Sequence, residues 1–292
     1  MNKFRGDPTL LADAHDYVRR MTGKEVVGVF DFLPDLGLPE EDSVGFSFAP
    51  KAEKRSDSLD IALVQLGHIA NFTDFAPLEI EPDVRIRTVR SGDELGQPDV
   101  IILPGSKGVA DDIGRMRKSG LFDAVKNSSA YLVGICGGLQ ILGEKLLDPD
   151  GVESEMSETE CMRKLPLTTV MREKKMLRHS SSVTRSGLTV RGYEIHHGET
   201  RCREKDGLSV MYSGDGRETG YEAEGILATY LHGIFDDDAF RRQFLNTVRI
   251  RKGREALPQT CEYGFEKALN RLADHVRSRI DLQKLYRKMG LK

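Results

Sequence analysis

The chain has 292 residues, 39% of them hydrophobic and 30% charged, with a formal net charge of −3. That length suits about two domains, and the composition is that of a packed globular chain rather than a disordered one. The slight negative charge argues against a nucleic-acid partner; no apolar run approaches the ~20 residues that span a bilayer, and residues 1–7 hold no apolar signal core, so the expectation is a cytoplasmic protein with no membrane partner.

In chain order, residues 26–32 (VVGVFDF) read as a buried strand, and Pro34, Gly37 and Pro39 then break the chain. Residues 50–58 (PKAEKRSDS) suit a linker. One strand and one preceding helical segment cannot bury their own faces. Residues 1–58 are therefore expected to be the end of a larger α/β domain, whose earlier strands lie outside the chain, plus its linker.

A second unit, residues 59–250, opens on the buried-strand pattern Leu59–Val64. Val84–Val89 alternates as a strand, and Val100–Leu103 runs into Pro104-Gly105-Ser106. Residues 111–126 read as a helix, Tyr131–Ile135 as a strand and residues 138–147 as a helix. Strand and helix in alternation predict an α/β fold with a doubly wound, mostly parallel sheet. Such sheets bind ligands at the carboxyl ends of their strands. Beyond about residue 160 the strands become shorter and more polar, clearest at 192–197 and 226–231. Asp236-Asp237-Asp238 starts a helix with Phe240, Phe244, Leu245 and Val248 on one face. Residues 251–292 form a helical extension, with Phe265, Leu269, Leu272, Val276 and Ile280 at helical spacing. Its eight Lys/Arg against three Asp/Glu from Phe265 onward suit a solvated face.

The four cysteines, Cys136, Cys161, Cys202 and Cys261, are 25, 41 and 59 residues apart, which fits no CxxC-type zinc pattern. Cys136 stands out in Gly134-Ile135-Cys136-Gly137-Gly138-Leu139-Gln140. A buried strand runs into cysteine and two glycines, and a helix follows: the layout of a nucleophile elbow. The helix N-terminus directs free N–H groups and its positive dipole end at the sulfur, surroundings that favour a reactive thiolate. The Gly137 N–H faces an oxyanion in such a turn, and backbone N–H groups near Gly105 and Ser106 offer the other half. The plainer alternative is a small buried residue flanked by glycines that permit close packing; the strand–elbow–helix order favours the nucleophile.

A cysteine nucleophile needs a base. His232 ends a strand in Thr229-Tyr230-Leu231-His232-Gly233-Ile234-Phe235, and His196-His197 ends another. Sequence alone does not choose between them. Adjacent strand residues point to opposite faces, so the histidine pair is a poor metal site and no metal is expected.

Together these motifs resemble the cobyric acid synthase branch of the class I glutamine amidotransferases, whose fold is flavodoxin-like. Asn2-Lys3-Phe4-Arg5-Gly6-Asp7, Glu41-Asp42-Ser43, Asn71-Phe72-Thr73-Asp74-Phe75, Leu103-Pro104-Gly105-Ser106-Lys107 and Gly192-Tyr193-Glu194-Ile195-His196 follow that family in its order, over residues 2 to about 250. The resemblance implies hydrolysis of L-glutamine through a γ-glutamyl thioester at Cys136, with His232 as general base. Gly105 and Gly137 become the oxyanion-hole backbone, and Gln140 a glutamine-contacting position. The ammonia would amidate a corrinoid, adenosylcobyrinic acid a,c-diamide, giving cobyric acid in cobalamin biosynthesis.

Three departures qualify the match. Position 234, two after the histidine, is isoleucine where many class I enzymes carry glutamate, an absence that the cobyric acid branch shares; Asp236 is a candidate to orient His232, or to cap the following helix. The proline usual near Gly67 is absent. No G-x-x-x-x-G-K-[ST] occurs, so this chain binds no cofactor of its own. ATP and Mg are expected at a dethiobiotin-synthetase-like ATPase domain or subunit, of which residues 1–58 resemble the end. The alternatives are a related glutaminase subunit, serving cobyrinic acid a,c-diamide or a cell-wall lipid precursor, and a non-catalytic scaffold domain.

Overall fold

A computed structural model describes residues 2–34, 57–67, 69–259 and 261–291. The contacts divide the chain into two compact units, residues 1–41 with 264–292, and residues 42–263. The Glu41-Asp42-Ser43 motif and all but the end of the expected linker lie outside the described residues.

In the smaller unit, the helix Ala12–Thr22 closes on Gly23, whose left-handed conformation lets its N–H reach the Arg19 carbonyl. The expected strand at residues 26–32 is not one. It makes isolated bridges only, Phe4 with Asp31 and Gly28 with Ile280, and Val27 and Phe32 are each 40% exposed. Its β-branched pattern meets no continuous strand among the described residues, so no ladder forms. The helical spacing near the C-terminus gives Glu266–Arg279, followed by Leu282–Lys288. These helices share a unit with the first segment. Arg279 pairs with Asp31 at 2.5 Å and Lys288 with Glu25 at 2.7 Å. Lys288 and Lys284 together hold the Glu25 carboxyl down to about 2. Residues 251–263 remain with the larger unit.

The larger unit is built on an eleven-stranded sheet: β1 Leu59–Val64, β2 Val84–Val89, β3 Val100–Leu103, β4 Tyr131–Ile135, β5 Lys145–Leu147, β6 Glu158–Glu160, β7 Leu167–Val183, β8 Thr189–Cys202, β9 Ser209–Ser213, β10 Glu218–Ala223 and β11 Ile226–Thr229. β1, β3 and β4 are buried at every position. Strands apolar on both sides need cover on both faces, as the parallel α/β arrangement supplies. The parallel order is β2-β1-β3-β4-β11, the flavodoxin-like succession. β10, β9 and β7 continue the sheet antiparallel, β5 and β6 follow, and β8 pairs along β7 as a long hairpin.

The helix expected at 111–126 is two, Val109–Lys118 and Leu121–Asn127, because Gly120 turns the chain through the left-handed region between them. The helix expected at 138–147 stops at Leu142, and Lys145–Leu147 becomes β5. A buried ionic lattice ties the turn before β2 to the helix Asp238–Arg251. Arg241 Nε meets Glu81 at 2.7 Å, Arg242 meets Glu81 and, at 2.9 Å, Asp83, and Arg249 meets Asp83 at 3.3 Å. Arg241 also donates to the Phe235 carbonyl at 2.9 Å. Among the described residues no helix is long and apolar enough to cross a membrane.

Candidate active site

β4 and β11 are parallel neighbours, with Thr229 beside Ile135. Cys136 follows β4 directly, and its N–H bonds the Thr229 carbonyl at 2.8 Å. His232 comes three residues after β11. Both side chains therefore leave the sheet at the same carboxyl edge, where this fold class binds ligands.

Cys136 adopts φ 52°, ψ −106°, a strained backbone for a residue with a Cβ. It joins β4 to the helix Gly137–Leu142. The turn is tight enough that a Cβ on Gly138 would fall 2.0 Å from the Leu103 carbonyl oxygen; only glycine lets the helix lie this close to β3. As the first helical residue, Gly137 has no carbonyl one turn back for its N–H. A Cβ there would lie 2.7 Å from the Ser106 nitrogen, so the Gly105-Ser106 turn and the elbow are in contact. Gly105 pairs with Ala70 and Ser106 with Ile69 in a short antiparallel ladder. The Ser106 hydroxyl donates to Asp112 at 2.6 Å, and Asp112 also accepts the Gly67 N–H at 2.8 Å. That buried carboxylate holds the turns after β1 and β3 around the cysteine.

Gln140 lies one turn along the same helix and is buried. Its amide nitrogen donates to the Tyr230 hydroxyl at 3.2 Å, and Tyr230 shares a hydrogen bond with Thr200 at 2.6 Å. It belongs to a polar network under the elbow. The Cys136 sulfur donates to the Ile195 carbonyl at 3.7 Å.

His232 is wholly buried. An isolated bridge holds its backbone to Tyr193, with hydrogen bonds of 2.8 and 3.2 Å, and the Tyr193 ring stacks on the imidazole at 5.2 Å between centroids. Nδ1 lies 2.7 Å from Asp74 Oδ2, and the other Asp74 oxygen accepts the Gly233 N–H at 2.9 Å. Nε2 is buried with no hydrogen-bond partner, and Cys136 is one of the two side chains that act electrostatically on the ring. Burial alone would lower the imidazole pKa. The Asp74 and Cys136 side chains outweigh it and push the ring up to about 10. A ring raised this far carries a second proton at neutral pH.

The structure thus brings Cys136, His232, Gly137 and the turn at Gly105 together. Neither role suggested for Asp236 is filled by it. His232 Nδ1 is met by Asp74, and the following helix is capped by Asp237, which accepts the Phe240 N–H at 2.8 Å. Sequence reasoning missed Asp74 as the imidazole's partner and Tyr193 as its cover. The available signal was an acid between two phenylalanines in Asn71-Phe72-Thr73-Asp74-Phe75, a setting that buries a carboxylate and obliges it to find a donor. His196 and His197 diverge, His196 Nδ1 to the Gly198 carbonyl at 2.8 Å and His197 Nδ1 to the Arg172 carbonyl at 2.9 Å.

Residues 60–240 match the CobB/CobQ-like glutamine amidotransferase domain family. A cobyric acid synthase of Nitratidesulfovibrio vulgaris is 41% identical, the match covering all of this chain and 62% of the relative. One from Geobacillus kaustophilus is 40% identical over 99% of this chain and 59% of its own length. The adenosylcobalamin biosynthesis bifunctional protein CobDQ of Leptospira interrogans is 38% identical over all of this chain and 35% of its own. The chain thus spans less than two thirds of the length of these curated relatives. A solved glutamine amidotransferase, 17% identical, superposes with a TM-score of 0.50 over 64% of this chain and 97% of its own, a likeness of fold.

Proposed function

The chain belongs to the CobB/CobQ-like glutamine amidotransferase family, and on that premise we propose that it hydrolyses glutamine at Cys136, with His232 as general acid and base, to supply ammonia for corrinoid amidation. The observation that carries this reading is the pairing of a strained elbow cysteine with a buried imidazole whose Nε2 lacks a partner, both at the carboxyl edge of adjacent strands.

The Cys136 thiolate attacks the side-chain carbonyl carbon of glutamine. A C–S bond forms and the carbonyl electrons move to oxygen. The Gly137 N–H, with a backbone N–H of the Gly105 turn, receives that oxyanion. Gln140, fixed by Tyr230, bounds the glutamine pocket from below. His232 Nε2 gives its proton to the departing nitrogen, the C–N bond breaks, and ammonia leaves a γ-glutamyl thioester. Water then attacks the thioester while His232 takes its proton. The C–S bond breaks, and glutamate departs from a thiolate–imidazolium pair.

The names of the relatives favour a corrinoid acceptor, adenosylcobyrinic acid a,c-diamide, over a cell-wall lipid precursor. In this reading ATP and Mg are used by an ATPase part that residues 1–58 resemble at its end, and the reaction runs in the reducing cytoplasm, where the free thiols of this chain persist. The experiment is a glutaminase assay of the chain, measuring glutamate and ammonia. Cys136→Ala is expected to abolish turnover; a variant that hydrolyses at the wild-type rate removes the assignment.

A further inference from the structure

Two residues beyond His232, where a carboxylate would orient the ring, the chain carries Ile234, fully buried in the core. An aliphatic side chain there offers Nδ1 nothing. We propose that Asp74, 158 residues earlier, is the positioning residue that fixes the orientation and tautomer of His232. The proposal deepens the glutaminase reading and rests on it for its functional meaning.

One carboxylate grips two groups of the same loop. Oδ2 meets the ring at Nδ1 and Oδ1 meets the next peptide N–H, at 2.7 and 2.9 Å. A carboxylate only accepts, so its partner nitrogen must carry a proton. The proton on Nδ1 leaves Nε2 to exchange protons with the sulfur and the substrate. Asp74 is 2% exposed, so water competes little for it. The segment that bears it is anchored, since the Arg241 and Arg242 pairs with Glu81 join residues just past Asp74 to residues just past His232. Asn71 Nδ2 lies 3.2 Å from the same ring nitrogen; with Nδ1 protonated, that amide is correctly placed only with its oxygen toward the ring. The titratable groups around the imidazole are Cys136 from the elbow, Tyr193 from β8 and Asp74 itself, with Asp236 and Tyr263 next to Asp74.

Asp74→Asn tests this with little change of shape. The Asn oxygen is claimed by the Gly233 N–H, so the amide NH₂ faces Nδ1. That nitrogen must then accept, and the proton moves to Nε2, where it blocks transfer from the thiol. The kcat for glutamine is expected to fall by about 10⁴-fold, the loss that accompanies reversal of such a tautomer in a serine-protease triad, with KM nearly unchanged. ¹⁵N NMR of labelled histidine reads the cause directly. Wild-type His232 is expected to be protonated on both nitrogens at pH 7, and Asp74→Asn to show a neutral ring protonated at Nε2. Asp74→Glu should regain the doubly protonated signature and part of kcat. If Asp74→Asn does not fold, Asp74→Ser makes the same comparison with a side chain able to accept the Gly233 N–H.

An unchanged His232 protonation pattern without the carboxylate overturns the proposal, whatever happens to stability. Turnover in Cys136→Ala sinks the nucleophile assignment instead. The NMR comparison, which needs no turnover, still decides what Asp74 does to the ring.

Discussion

Gly192→Ala is a sharp perturbation of the site, because it touches no reacting group. A Cβ at residue 192 would lie 2.0 Å from the His232 carbonyl oxygen, and real Cβ atoms essentially never approach below 3.0 Å. Backbone must therefore part by at least about 1 Å, at the point where Tyr193 and His232 exchange two backbone hydrogen bonds and where the Tyr193 ring covers the imidazole. Overpacking of this kind costs ~1–3 kcal/mol, and each lost hydrogen bond adds about 1 kcal/mol. In a unit of this size that lowers Tm by roughly 2–4 °C per kcal/mol. The catalytic effect should be larger, since a misplacement of ~1 Å costs about 10²-fold in rate. Differential scanning calorimetry and steady-state glutaminase kinetics measure the two. Gly114→Ala, on the helix Val109–Lys118 with nothing within 4 Å of its added methyl, is the control, expected to be neutral or stabilising by up to ~1 kcal/mol. A Gly192→Ala protein with lowered Tm but wild-type kcat/KM would refute the claim that this contact positions His232.

Two further outcomes follow from buried charge. Arg241→Met removes a fully buried cation from Glu81, Asp238 and the Phe235 carbonyl; breaking such a set on one side costs ~3–5 kcal/mol, read as a lower urea midpoint, and a midpoint within experimental error of wild type contradicts it. Asp74 and Cys136 raise the folded His232 imidazole to about 10, from an ordinary value of 6.5. A raised pKa contributes stability that is complete below pH ~6.5 and is lost as pH rises through about 10, at about 1.4 kcal/mol for each pH unit separating the two values. Between pH 7 and 10 the wild type should therefore lose more stability than His232→Gln; parallel denaturation curves would mean that the folded ring titrates like a free imidazole.

The elbow was legible because its signal is local. An apolar strand, a cysteine and two glycines within seven residues leave few backbone shapes, and the glycines are required by the same close approach to β3 that the structure displays. His232 was legible as a strand-end histidine, but choosing it over His196 needed the strand order, which no local pattern carries. The burial of Asp74 had a local signal, but its pairing with His232 did not: the partner lies 158 positions away, and the short 3-10 turn Phe72–Phe75 that carries Asp74 has no periodicity to mark it. The misread strand at residues 26–32 shows the opposite failure. Its local pattern is good, but a strand exists only if a neighbour is there to pair with it. The helix read as 111–126 kept its apolar face and lost its continuity at Gly120, where a single left-handed residue decided the geometry.

The distance along the chain between Asp74 and His232 has a consequence for synthesis. A ribosome delivers the elbow and its sulfur well before the imidazole emerges, and the imidazole before the arginines of Asp238–Arg251 that secure the loop around it. Contacts so far apart in sequence form late. On the proposed mechanism, the growing polypeptide until then holds a nucleophile without the base it needs, so ammonia release is expected only from a completed fold.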